Sequence, residues 1–230
     1  MGNSKLVDYT KISPNKSNRT GKISKITIHH MAGNLSVERC GDVFAPSSRQ
    51  ASSNYGIDTE GRVGLYVPEE YRAWTSSNRD NDNVAVTIEV ANDGGENWHV
   101  SDKALQKTIE LCADICKRNG IKKLNFTGDK TGNLTMHKYF AATNCPGPYL
   151  ESKFPYIADE VNKILSGEKE QTKKEPIPEL TTANDIVWEL GYRGIVTDTK
   201  GMLKEMNENP GGRLYWLARK MLNYIRQKGI

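Results

Sequence analysis

Four histidines (His29, His30, His99 and His137) and four cysteines (Cys40, Cys112, Cys116 and Cys145) are the side chains of this 230-residue chain best suited to hold a metal or act on a substrate. His29 and His30 close an apolar stretch, KISKITIHH. Neighbours on a strand point to opposite faces, so only one of the two reaches a given site. His137 and Cys145 share the segment MHKYFAATNCPGPYL, where Pro146, Gly147 and Pro148 make an irregular, rigid turn. Glu89 lies near the end of VAVTIEV, and an acid on so apolar a strand is costly unless it is paired, hydrogen-bonded or kept for a task. One His, a second His and a Cys make three protein ligands, the usual complement of a catalytic zinc with its fourth position open to water. A carboxylate beside that water would serve as general base.

Taken singly, each residue also has an ordinary explanation. A strand-end histidine, a small buried cysteine and an acid paired with an arginine are all common. The eight-residue spacing of His137 and Cys145 is no standard zinc-finger spacing. Cys112 and Cys116 lie four apart on a helix and fall on its apolar stripe, which assigns them to packing, and Cys40 is read the same way. His99 reads as a surface or turn residue. Trp74 is either a wall of a substrate groove, since aromatic faces pack on sugar rings, or a loop anchor. Asn78, Arg79, Asp80 and Asn81 are polar residues of a loop that could meet a peptide or glycan.

The elements that must position these groups alternate between strand and helix. Residues 22–30 predict a strand through Ile23, Ile26 and Ile28, and residues 36–44 a short helix capped by Ser36. SSNYGID and RVGLYV flank TEG as a hairpin. VAVTIEV is rich enough in Val and Ile to be buried on both faces. Residues 101–120 predict the clearest helix, from the Ser101 cap to Gly120, and residues 154–167 a closing one. Strands and helices mixed around a buried sheet make an α/β domain.

Composition shifts once, at SGEKEQTKKEPIPEL (166–180), which has no aromatic residue, alternating Lys and Glu, and two prolines. The expected organisation is a domain at 1–165, a linker at 166–180 and a small all-α module at 181–230. That module would comprise helices at 181–194, 198–212 and 212–229, the last burying Leu214, Leu217, Met221 and Ile225. So small a bundle buries little surface, which invites docking or self-association into a homo-oligomer. Trp188, Tyr192, Tyr215 and Trp216 are candidates for stacking on carbohydrate, or for its core. The net charge of +4 is too mild for nucleic acid. No apolar run is long enough to span a membrane, and the first residues lack the apolar core of a secretory signal. Four scattered cysteines do not make a disulfide framework and suit a reducing cytoplasm.

Four strings, ITIHHMAG (26–33), ASSNYGIDTEGRV (51–63), NVAVTIEVAN (83–92) and HKYFAATNCPG (137–147), resemble in order the motifs of the zinc N-acetylmuramoyl-L-alanine amidases of the peptidoglycan-recognition-protein type. These are common among phage endolysins and bacterial autolysins. The resemblance spans roughly residues 5–165. It implies a mixed central β-sheet flanked by helices, with zinc held by His29, His137 and Cys145. It makes Glu89 the general base and places Thr143 where relatives carry a Lys or Thr that assists at the substrate carbonyl. Some relatives carry a catalytic Tyr at the position of Ser53; here Tyr55 lies two residues later, and Asn54, Tyr55 and Trp74 are candidate substrate contacts. The implied reaction is hydrolysis of the amide between N-acetylmuramic acid and L-alanine of peptidoglycan by zinc-activated water. The absence of a signal suggests synthesis in the host cytoplasm and release to the wall through a pore made by another protein, with the helical module binding the wall. The alternatives are a peptidoglycan-binding protein without catalysis, which would lack the third ligand, and a cytosolic amidase recycling muropeptides.

Overall fold

The computed structural model describes residues 2–95 and 97–167, and beyond them residues 186, 187, 190, 198–209, 212, 214, 217, 218, 220 and 221. The chain forms two compact units, Met1–Glu170 and Gln171–Ile230.

In the first unit, six strands form one sheet. They are β1 (Tyr9–Thr10), β3 (Lys25–His30), β4 (Tyr55–Ile57), β5 (Val63–Leu65), β7 (Ala85–Val90) and β8 (Leu134–Met136), in the order β1-β5-β4-β7-β3-β8. Every pair is parallel except the β4–β5 hairpin. Strands β2 (Lys16–Asn18) and β6 (Tyr71–Ala73) make a separate antiparallel pair. The helices are α1 (Val37–Phe44), α2 (Arg79–Val84), α3 (Asp102–Asn119) and α4 (Pro148–Ser166).

Side-chain alternation gives the sheet two unlike faces. Ile26, Ile28, Val86, Ile88, Val90, Leu134 and Met136 turn to one side. There they join Leu105, Ile109, Leu111 and Ile115 of α3 and Leu150, Phe154, Ile157 and Val161 of α4 in the main core. Burying each such side chain contributes about 1.5–3 kcal/mol. Thr27, His29, Thr87, Glu89 and Thr135 turn to the other side. On that side Cys40 and Phe44 of α1 pack with Tyr66.

Helix α3 begins where Ser101 accepts from the Ala104 N–H (3.2 Å) and ends at Gly120 in the left-handed region (φ 71°). Cys112 and Cys116 are buried on its inner stripe. Helix α4 starts six residues before the expected Phe154. Pro148 occupies the first turn, where its missing N–H is harmless, and Pro155 lies inside the helix. Residues 78–81, expected as a loop, start α2: the Asn78 side chain accepts from the Asn81 N–H, and Asn81 is buried.

In the second unit, α5 (Thr199–Glu208) is capped by Asp198. Ile186, Val187, Leu190, Met206 and Ala218 form its core, with Met202, Leu203 and Leu214 against them. Leu217 and Met221, expected on the buried stripe, are 46% and 47% exposed. Leu214 and Ala218, four residues apart, face the core instead. Ile225, Trp188, Tyr192, Tyr215, Trp216 and most of the 166–180 segment lie outside the described residues. Among the described residues no helix is long and apolar enough to cross a membrane.

Candidate metal centre

The site is one row across the polar face of the sheet. In register, His29 of β3 sits beside Glu89 of β7, Glu89 beside Gly56 of β4, and Gly56 beside Gly64 of β5. His137 follows β8 directly, one step beyond the Met136–Ile28 pair, which brings it next to His29. The two imidazoles lie with centroids 4.6 Å apart at 51°. The chain then turns back and delivers Cys145. The Lys138 N–H donates to the Cys145 carbonyl (3.1 Å), the Cys145 N–H to Thr143 Oγ1 (3.2 Å), and the His30 N–H to Cys145 Sγ (3.4 Å). The Cys145–Pro146 peptide is cis.

One donor atom each from His29, His137 and Cys145 lies within 4.8 Å of the others, close enough for one cation between them. His29 Nε2 and His137 Nε2 are buried without a hydrogen-bond partner, as is Glu89 Oε2. Buried polar atoms are nearly always satisfied, so three orphans in one row mark a place built for something else. Burial pushes the His29 pKa well below its ordinary value, with His137 and His30 adding to the effect. Burial also lowers that of His137, against an opposing pull from Asp82. Both imidazoles are therefore neutral, the form that binds metal. Burial, reinforced by the Glu89 charge, raises the Cys145 thiol, while the His30 N–H works the other way. A cation at the site would supply the charge a thiolate needs there. Burial lifts the Glu89 carboxyl to about 8, with Arg49 opposing.

Beside Glu89 the sheet has no side chains to spare. A Cβ on Gly56 would lie 2.7 Å from Tyr66 Cε2 and 2.9 Å from Met31 Cε, and one on Gly64 would lie 2.5 Å from Tyr66 Oη. The Tyr66 ring fills that space and donates its hydroxyl to the Val37 carbonyl (2.8 Å). Sequence reasoning passed over Gly56, Gly64 and Tyr66. The signal was available, since glycine inside a strand often marks a close approach.

Other expected site residues stand elsewhere. Thr143 is half-buried at the turn, where its hydroxyl accepts from Cys145 and keeps its own hydrogen to donate. Tyr55 and Asn54 do not fit substrate contacts, because both are fully buried. Tyr55 pairs with Ile88, one residue out of phase with Glu89, so its ring enters the main core. Its hydroxyl donates to Glu69 Oε1 (2.6 Å) and accepts from the Ser4 N–H (2.9 Å). Asn54 bonds the Thr87 N–H (3.1 Å) and the Val67 carbonyl (3.0 Å). Ser53, also buried, donates to the Tyr55 and Thr87 carbonyls. Trp74 is half-buried with its Nε1–H donated to Ser17 Oγ (3.2 Å) on β2.

Residues 19–148 match the family model described as N-acetylmuramoyl-L-alanine amidase. The chain belongs to that family. It is an amidase acting on peptidoglycan, and the matched segment contains His29, Glu89, His137, Thr143 and Cys145. A mutant endolysin from Bacillus subtilis has a similar fold (16% identity, TM-score 0.54, covering 67% of this chain and 99% of that one). So does the PlyG catalytic domain (17% identity, TM-score 0.52, covering 73% and 99%). A selenomethionine derivative of AmpD is a third (17% identity, TM-score 0.51, covering 67% and 96%). No curated protein matches the sequence.

Proposed function

We propose that this amidase is a zinc enzyme of the endolysin type, with His29, His137 and Cys145 as the metal ligands and Glu89 as general base. The observation that carries the reading is the convergence of the three donors beside Glu89, with the Nε2 atoms of both imidazoles and Glu89 Oε2 buried and unpartnered. Two neutral imidazoles and a thiolate are a borderline-soft donor set that suits zinc. Zinc bound there would act as a Lewis acid and lower the pKa of a coordinated water towards about 7.

The chain's own residues do the rest. Glu89, held on β7 beside His29, takes the proton of the attacking water at Oε2. It then hands that proton to the amine of L-alanine as the amide C–N bond breaks. A carboxyl lifted by burial towards neutral pH suits both steps. Thr143 donates its free hydroxyl hydrogen to the oxygen of the lactyl carbonyl as charge gathers there. Tyr66, lying flat over Gly56 and Gly64, keeps solvent from the flank of Glu89. The second unit, with its own core around Met206, serves as a wall-binding or assembly module joined through the 166–180 linker.

Digestion of purified cell wall tests the reading. It requires new L-alanine amino termini without new reducing sugars, together with zinc in the purified protein at one ion per chain. Hydrolysis that survives complete metal removal would refute the zinc assignment.

A further inference from the structure

The loop between β7 and α3 touches both segments that carry the proposed ligands. Trp98 stands in it at φ 49°, a backbone conformation uncommon for a non-glycine residue, in a turn closed by its own N–H to the Gly95 carbonyl (3.0 Å). Its indole stacks on the His30 ring, with centroids 4.5 Å apart and planes 14° apart. It also lies against Gly147: a Cβ there would be 2.5 Å from Trp98 Cε3, and Gly147 has φ 90°. One ring thus bridges the residue after His29 and the residue two beyond Cys145.

Both ends of this bridge are fixed. The buried Asn92 uses its Oδ1 to accept from the Gly94 N–H (2.9 Å), which leaves its Nδ2 to donate to His30 Nδ1 (2.9 Å). The Asn92 N–H donates to the Gly33 carbonyl (3.1 Å). At the other end the Tyr149 N–H donates to the Asn97 carbonyl (3.3 Å), and the rings of His99 and Tyr149 lie 4.5 Å apart. Where ring and turn meet, the His30 N–H points at Cys145 Sγ. That contact exists only while the 145–147 turn is held against β3.

We propose that Trp98 is a positioning residue for the metal centre: its indole clamps the 145–147 turn to His30 and so sets the Cys145 sulfur, with its N–H···S contact, against His29 and His137. This rests on the zinc reading above. Second-sphere partners of ligands commonly govern metal affinity by about 10–100-fold. Losing the indole lets the turn drift and weakens the sulfur as a donor. A flat ring of smaller area still stacks on His30, so phenylalanine restores most of the effect.

The test is zinc affinity of the full chain, measured by competition with a chromophoric chelator for wild type, Trp98→Ala and Trp98→Phe. Cobalt-loaded samples add the sulfur-to-cobalt charge-transfer band as a direct report on the Cys145 bond. The expected result is a 10–100-fold weaker affinity and an altered band for Trp98→Ala, and near-wild-type values for Trp98→Phe. If Trp98→Ala does not fold in the chelated state, Trp98→Leu replaces it, filling volume without a flat face. Affinity and band unchanged in a folded Trp98→Ala or Trp98→Leu would overturn the proposal while leaving the zinc site intact. A wild-type protein that binds neither ion would overturn the zinc reading, and this inference with it.

Discussion

Glu89→Gln separates stability from activity in opposite directions. In the metal-free fold the Glu89 carboxyl titrates at about 8, against an ordinary 4.5, because burial disfavours its charge. An acid with a raised folded pKa costs nothing below the unfolded value. The cost grows as pH rises from 4.5 to 8 and is constant above that. At pH 7 the folded chain must retain a proton that the unfolded chain has released. At about 1.4 kcal/mol per pH unit over that interval, this amounts to roughly 3 kcal/mol, or roughly 2–3 kcal/mol after allowing for the partial exposure of the residue. Glutamine is close in shape and has no proton to lose. The chelated Glu89→Gln protein should therefore be more stable than wild type by roughly 2–3 kcal/mol at pH 7, a rise in Tm of about 4–12 °C, and about equal to it at pH 4. Saturation with zinc should shrink the gap, because a nearby cation relieves the carboxylate. Turnover on cell walls should fall about 10²–10⁴-fold. Thermal melts across pH 4–9 with and without chelator, paired with wall-lysis rates, read both effects. A chelated variant that is equally stable or less stable at pH 8 would refute the burial argument. A variant with near-wild-type turnover would place the general base elsewhere.

Cys145→Ala should lose both bound zinc and wall hydrolysis, as metal analysis and lysis assays would show; retention of both would remove Cys145 from the site. Gly56→Ala drives a methyl group to within 2.7 Å of the buried Tyr66 ring and should cost about 1–3 kcal/mol in a melt. Adding Tyr66→Phe removes the Oη contact at 2.8 Å, so the double variant should be less destabilised than the two single losses added together. Arg118→Ala strips two guanidinium bonds (2.6 and 2.9 Å) from Glu69, which is 1% exposed. Tyr55 and Asn119 still donate to that carboxylate, so the cost should sit near about 3 kcal/mol in urea denaturation, the lower end for a broken buried pair. A loss under about 1 kcal/mol would mean that the pair is dispensable.

Much of the fold was legible because local patterns and tertiary packing agree. The Ser36 and Ser101 caps, the Gly120 stop and the β4–β5 hairpin form where turn and cap chemistry place them. The start of α4 was not, because Pro146, Gly147 and Pro148 read as a rigid turn, and only the packing of Leu150 into the core carries the helix back to Pro148. Leu217 and Met221 were misread for a related reason. A helix with several apolar residues offers more than one stripe, and the partner helices decide which is covered.

The sequence by itself determined which side chains can do chemistry: the alternation along ITIHH and VTIEV already commits Thr27 and His29, and Thr87 and Glu89, to common faces of their strands. Strand register was left to the tertiary structure. Pairing His29 with Glu89 and Glu89 with Gly56 puts the acid beside the imidazoles and Tyr55 on the far face, and a slip of one residue would reverse both outcomes. The approach of Cys145 to His29, 116 positions away along the chain, likewise depends on a turn held by long-range contacts that no local pattern encodes.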